Sequence, residues 1–227
     1  MSEIISFANL QKTKDGSDTI FHPGMNQHYH SIHGAIQESV HVFINSGLKA
    51  VASKEISILE IGFGTALNGF LTLLEAYENE LSVHYTAIEP YPVQLSLAAE
   101  LNYAEKLNAL AYKNEFIQMH VSKEGEWISI SENFQLKKIP QKIQEADLDD
   151  KFDLVYFDAF GPGAQQEMWL PEVFIKIYKA MKPGGILTTY CAKGEVKRRL
   201  KQINFEIESL PGPPGKREMI RALKVGN

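Results

Sequence analysis

Hydrophobic residues along this chain follow two patterns. Some fall in short unbroken runs closed by glycine, proline or an acid, and others recur every three or four residues. The first pattern predicts strands buried on both faces of a parallel sheet, the second predicts helices. Ile56, Ile58, Leu59 and Ile61 end a strand predicted over Val51–Ile61; Gly62 and Gly64 follow, and Ala66–Tyr77 reads as a helix. Val83–Glu89 is the next strand, stopped by Pro90-Tyr-Pro92, which sets up a helix to about Leu110. Phe116–Val121 and Trp127–Ile130 read as strands with Gly125 between them, and Phe134–Ile143 as a helix despite Pro140. Phe152–Phe157 is a strand ending in Asp158 and a Pro/Gly loop; Trp169–Met181 is a helix, and Lys182–Gly185 a tight turn into a strand over Gly185–Tyr190. A helix from Lys193 and two last strands, Phe205–Leu210 and Met219–Val225, complete the map. Repeated βα units closed by a hairpin predict an α/β fold with a seven-stranded, mostly parallel sheet and a reversed last strand. Residues 1–50 read as an arm and lid ahead of a main domain over 51–227. In this arm Ile4–Phe7 and Thr19–Phe21 are short strands, and a helix starts near Ser31, its N-cap, with Ile32, Ala35, Ile36, Val40, Phe43 and Ile44 on one face.

Composition narrows the function classes. A hydrophobic share of 44% and a charged share of 22% are ordinary for a globular domain of 227 residues. No apolar run is long enough to span a membrane and no leader is visible, so a cytoplasmic protein without membrane attachment is expected. One cysteine, Cys191, excludes an internal disulfide and fits a reducing compartment. A net charge of −5 argues against coating nucleic acid by bulk charge and leaves room for a local basic patch: Lys193, Lys197, Arg198, Arg199 and Lys201, with Lys216, Arg217, Arg221 and Lys224.

The glycine turn carries the first chemistry. Gly62 and Gly64 allow a sharp turn and a close ligand, but the third glycine of a dinucleotide fingerprint is replaced by Leu67, which disfavours a nicotinamide oxidoreductase. Glu89, at the tip of the next strand, is placed to accept hydrogen bonds from a ribose diol. A glycine turn plus a tip acid, without a third glycine, is the pattern of S-adenosylmethionine sites. In open α/β sheets ligands bind beyond the carboxyl ends of the strands, which brings Asp158 beside the turn. An acid for the adenine amino group is sought among Glu132, Asn133 and Gln135. His28, His30, His33 and His41 invite a metal reading, but no cysteine or acid stands at a ligand interval, so no metal site is assigned.

The residues further resemble a known family, the methyltransferase domain of the bacterial tRNA wobble-uridine modification enzyme MnmC or its stand-alone form MnmD. The matching pieces are His28-Tyr-His-Ser31 with Gly34-Ala35 and Gln37-Glu-Ser39, Glu60–Thr65 with Leu67-Asn68, Glu89–Pro92, Phe157–Phe160 with Met168-Trp169, Lys182–Gly185 and Gly215–Met219. The resemblance implies a Rossmann-like, class I S-adenosylmethionine-dependent methyltransferase. Its expected reaction is N-methylation of the aminomethyl group of 5-aminomethyl-(2-thio)uridine in tRNA, with separate enzymes supplying that precursor and no flavin-dependent oxidase domain after Asn227. It implies cofactor contacts from Glu60, Gly62, Gly64, Thr65, Asn68, Glu89, Pro90, Tyr29, Ser31, Asp158 and Ala159, with Asp158 orienting the amine and accepting its proton. Asp158 could instead cap its turn or bind the methionine amino group. For the tRNA it implies Phe160 or Trp169 stacking on the base and Arg198, Arg199, Lys216 and Arg217 on phosphates; Trp169 as a core residue and the basic run as a solvated face are the alternatives. A small-molecule transferase of the polyamine-synthase kind and a non-catalytic S-adenosylmethionine-binding protein are the rival readings.

Overall fold

A computed structural model describes residues 9–148 and 151–226; the strand expected over Ile4–Phe7 lies outside them. The described chain begins with a small antiparallel sheet of β1 (Asn9–Lys12), β2 (Asp18–His22) and β3 (Gln27–His28). Helix α1 follows (Ala35–Ser39), continuing as a π-helical turn over Val40–Asn45. It starts later than Ser31: Gly34 takes the N-cap position, and Ile32 is exposed. Ile20, Ala35, Val42, Phe43 and Ile44 are buried in the main core. Each large apolar side chain so buried is worth about 1.5–3 kcal/mol, which fixes the arm to the body.

The central sheet has eight strands. They are β4 (Glu55–Ile61), β5 (Ser82–Ile88), β6 (Trp127–Ser131), β7 (Phe134–Ile139), β8 (Phe152–Phe157), β9 (Met181–Thr189), β10 (Phe205–Pro211) and β11 (Glu218–Lys224), in the order β10-β11-β9-β8-β4-β5-β7-β6. Strands β7, β5, β4, β8 and β9 are parallel; β11 runs antiparallel to β9, as the reversed last strand requires. The sheet has one strand more than the expected seven: β6, expected over Trp127–Ile130, is an antiparallel edge partner of β7, and β7 itself was expected as a helix. Both faces of the sheet are covered. Ile56, Ile58, Leu154 and Tyr156 join one core, while Leu59, Ile61, Val155 and Phe157 join the other. This two-sided burial is why these strands read as unbroken apolar runs.

The helices are α2 (Leu67–Asn79), α3 (Leu95–Ala98), α4 (Tyr103–Lys106), α5 (Lys113–Val121), α6 (Pro171–Ala180) and α7 (Gly194–Gln202). Four expectations are corrected. The single helix to Leu110 is two short helices and a 3-10 turn, Leu110–Tyr112. Phe116–Val121 belongs to α5, not to a strand, with Phe116 and Met119 buried one helical turn apart. Phe134–Ile143 contains strand β7, whose buried Phe134, Leu136 and Lys138 alternate with partly exposed neighbours, and Pro140 follows its end. Lys182–Gly185 lies within β9 at a register shift rather than in a turn before it. Chain order reverses at β4, with β5 on one side and β8 on the other, so the crevice opens beyond the carboxyl ends of these strands.

Candidate active site

The crevice is a cavity of about 590 Å³ at that rim. Its floor is the turn after β4. Gly62 (φ +91°) and Gly64 (φ +47°) hold left-handed backbone, and Ala66 (φ +60°) enters α2 the same way. A Cβ on Gly62 would lie 2.6 Å from the Asp158 carbonyl oxygen, and one on Gly64 would lie 2.9 Å from the Tyr29 ring. The Gly62 N–H donates to the Ile88 carbonyl (3.0 Å) and the Asp158 N–H to that of Ile61 (2.9 Å). These bonds clamp the three strand tips together.

Glu89 is held by its own neighbours. Its carboxylate accepts hydrogen bonds from the Gly64 N–H (3.0 Å) and the Tyr91 N–H (2.9 Å). Burial nonetheless outweighs these bonds and pushes its carboxyl up to about 7. Asp158 accepts from Asn68 Nδ2 (2.9 Å), and burial, with the nearby Glu38, lifts it too to about 7. The Asn68 amide also donates to Glu60 Oε1 (2.8 Å), whose other oxygen accepts from Tyr85 Oη (2.9 Å). Asn68 Oδ1 is buried without a hydrogen-bond partner among the described residues.

The arm supplies the roof. Tyr29 packs edge-on against Phe160, with ring centroids 5.2 Å apart. The Ser31 N–H donates to Glu38 Oε2 (2.8 Å), and His30 Nε2 lies 2.7 Å from Thr65 Oγ1. Burial pushes the His30 imidazole down to about 4, which keeps it neutral. The four histidines of the metal reading thus face separate neighbours: Gln11 for His28, Thr65 for His30, the Gly215 backbone for His33 and the Pro211 carbonyl for His41. Among the described residues no cluster of three His, Cys, Asp or Glu side chains could hold a metal.

Most of the anticipated cofactor residues meet here: Tyr29, Ser31, Gly62, Gly64, Thr65, Asn68, Glu89, Pro90, Asp158 and Ala159 all line the cavity. Glu60 does not; it is 1% exposed and stands one hydrogen bond behind the wall, fixing Asn68. Phe160 and Lys216 line the same space, while Trp169 is wholly buried. Its indole N–H donates to the Phe160 carbonyl (2.8 Å), so it braces the loop rather than meeting a base. Arg199 donates to the Trp169 carbonyl (2.7 Å), and Arg198 is exposed on α7; neither reaches the cavity. Arg217 lines a second, more open hollow beside the first, with Lys193 and the Gly161–Ala164 loop. Glu132, Asn133 and Gln135 sit at the start of β7, the end away from the rim. The residues beyond its carboxyl end, Lys142, Ile143 and Gln144, line the cavity instead. Glu38 and Tyr190 are further wall residues to which the sequence assigned no role. The signal for Glu38 was an acid one turn after Ala35 on the apolar side of a helix.

A family model for S-adenosyl-L-methionine-dependent methyltransferases matches residues 104–225. The chain belongs to this family. Among relatives of this methyltransferase, the "tRNA 5-methylaminomethyl-2-thiouridine biosynthesis bifunctional protein MnmC" of Cupriavidus necator is 29% identical over 216 residues, covering 88% of this chain and 32% of that protein. The protein of the same name from Campylobacter fetus is 28% identical, covering 90% of the chain and 34% of that protein. The chain thus spans about a third of the length of these curated relatives. The crystal structure of MNMC2 from Aquifex aeolicus superposes with a TM-score of 0.77 at 26% identity, covering 97% of this chain and 71% of that one.

The cofactor of the methyltransferase family is S-adenosylmethionine, and the cavity suits it. S-adenosylmethionine carries a sulfonium and an ammonium. Glu38, Glu89 and Asp158 line the wall as acids, with Glu60 behind them. The unpartnered Asn68 Oδ1 offers a further acceptor. Gly62 and Gly64 present bare backbone to the cavity, while the Asp158 carbonyl and the Tyr29 ring occupy the places their Cβ atoms would take.

Proposed function

We propose that this methyltransferase N-methylates the primary amine of 5-aminomethyl-(2-thio)uridine at the tRNA wobble position, in the cytoplasm. Support comes from the names borne by the relatives, and from one feature of the site: Asp158, a carboxylate raised to about 7, facing the cavity beside the glycine turn. Bound S-adenosylmethionine supplies an electrophilic methyl group on sulfur. The chain must supply a neutral amine and hold it in line, and orientation carries most of the acceleration.

An alkylammonium has no lone pair and releases its proton near pH 10. A carboxylate at its ordinary value is a poor acceptor for that proton. Burial lifts Asp158 toward the ammonium and so improves the match. Asn68 Nδ2 fixes one Asp158 oxygen and leaves the other for the amine. Glu89 serves the ribose diol, and Gln144, Ile143 and Lys142 border the adenine side. Phe160, held by Trp169, offers the face on which a splayed wobble base stacks.

The reading is tested by incubating the protein with methyl-labelled S-adenosylmethionine and tRNA that carries the aminomethyl group, then analysing the nucleosides. Label should appear in 5-methylaminomethyl-2-thiouridine. Asp158→Asn should cut the rate by roughly 10²-fold or more while changing S-adenosylmethionine affinity far less. Label confined to small amines, or an Asp158→Asn enzyme near wild-type activity, would refute it.

A further inference from the structure

Lys216 projects from the hairpin turn between β10 and β11 into the cavity. Its ammonium donates to Glu38 Oε1 (2.5 Å) and lies 3.7 Å from the centroid of the Tyr190 ring. Glu38 is 6% exposed, and its second oxygen is occupied by the Ser31 N–H. Tyr190 is tethered through its hydroxyl to the Ala159 carbonyl (2.8 Å), next to Asp158. A carboxylate plus an aromatic face is a strong ammonium site, through charge-assisted hydrogen bonding and cation–π attraction. Glu38 and Lys216 both act electrostatically on Asp158, so the seat adjoins the proposed proton acceptor.

We infer that Glu38 and the Tyr190 ring form the seat of the substrate's ammonium, and that Lys216 fills it as a placeholder in the free protein. The inference rests on the amine-methylation reading. Lys216 carries the same CH₂–NH₃⁺ group as the aminomethyl substituent, so its position marks where such a group is stabilised. A buried Glu38 without a cation would be costly, and the placeholder removes that cost until substrate arrives. Lys216 also lines the second hollow, beside Lys193 and Arg217. Swinging outward keeps its charge among groups that face the phosphates of a bound nucleic acid. No bond is made or broken in the exchange; one ammonium replaces another.

Propylammonium is the probe, titrated calorimetrically into the full chain without cofactor or tRNA. Lys216→Met vacates the seat and should bind propylammonium roughly tenfold more tightly than wild type. Adding Glu38→Gln to that variant should abolish the gain, as should Tyr190→Leu if Glu38→Gln does not fold. Tyr190→Phe keeps the ring and should retain most of it. The inference falls if Lys216→Met binds the probe no better than wild type, or if the gain survives both Glu38→Gln and Tyr190→Leu. These outcomes read the seat directly. A wild-type protein that puts no methyl into tRNA would sink the substrate reading while leaving the probe result standing.

Discussion

Glu89 concentrates the competing forces of the site in one side chain. Two backbone N–H groups stabilise its ionised form, yet burial dominates and raises its carboxyl from the ordinary 4.5 to about 7. Asp158 moves from 3.8 to about 7, again chiefly through burial. The sign follows directly. Each folded-state carboxyl binds its proton more tightly than the unfolded one, so the folded state holds more protons between the two values. Stability is greatest below the ordinary value and is lost as pH rises through about 7. The ligand-free protein should therefore melt at a lower temperature at about pH 8 than at about pH 5, and Glu89→Gln should flatten that slope. A cationic ligand favours the ionised carboxylates, so affinity for S-adenosylmethionine should rise over the same interval. Thermal melts and titrations across the range check both, and parallel slopes for wild type and Glu89→Gln would contradict the assignment.

At the level of elements, the unit β4–turn–α2 does most of the positioning, and it was also the most readable part of the sequence. Two-sided burial made β4 and β8 apolar throughout, and the turn needed glycine where φ is positive. Gly62→Ala should cost about 1–3 kcal/mol for its backbone conformation and more for the 2.6 Å approach to the Asp158 carbonyl. Gly125→Ala is the control: its φ is +78° but nothing lies within 4 Å, so only the backbone cost applies. Urea denaturation should rank Gly62→Ala well below Gly125→Ala, with weaker S-adenosylmethionine binding in the former alone; equal losses would mean that the contact with β8 is slack. The sequence was misleading where periodicity was short or mixed. Strand β7 has buried Phe134, Leu136 and Lys138, but a lysine in an inward position masked the alternation, and it read as a helix. That error carried the search for an adenine contact to Glu132–Gln135, at the wrong end of the strand from Lys142–Gln144. Helix α5 suffered the converse: Phe116, Ile117, Met119 and Val121 look like a strand run until Val121 proves exposed. Trp169 could not be assigned from sequence because an aromatic near a loop serves equally as brace or platform. Its buried indole, bonded to the Phe160 carbonyl, makes it the brace.

Across the whole molecule the balance of charge changes over a short distance: the cavity sets Glu38, Glu89, Asp158 and Glu167 against Lys142 and Lys216, and the hollow beside it sets Lys193, Lys216 and Arg217 against Glu218, which is paired with Lys197. The chain carries −5 overall, and the two spaces share Gln27, Gly161, Tyr190 and Lys216. This is the arrangement a polyanion bearing a cationic amine would need, with amine inward and backbone outward. It also ranks the basic residues differently from their order in the chain. Arg199 is committed to the Trp169 carbonyl and to Glu195, and Lys197 to Glu218, so their loss should act on stability. Lys193 and Arg217 are exposed at the hollow's edge and have no ion pair among the described residues. Replacing both by alanine should weaken tRNA binding and lower the slope of log affinity against log salt by about 1.4–1.8, the release expected for two phosphate contacts. S-adenosylmethionine affinity should stay unchanged, because neither residue lines the cavity. Filter binding at several salt concentrations reads the slope. An unaltered slope in the double variant, with a reduced one in Arg198→Ala, would move the nucleic-acid track from this hollow to the outer face of α7.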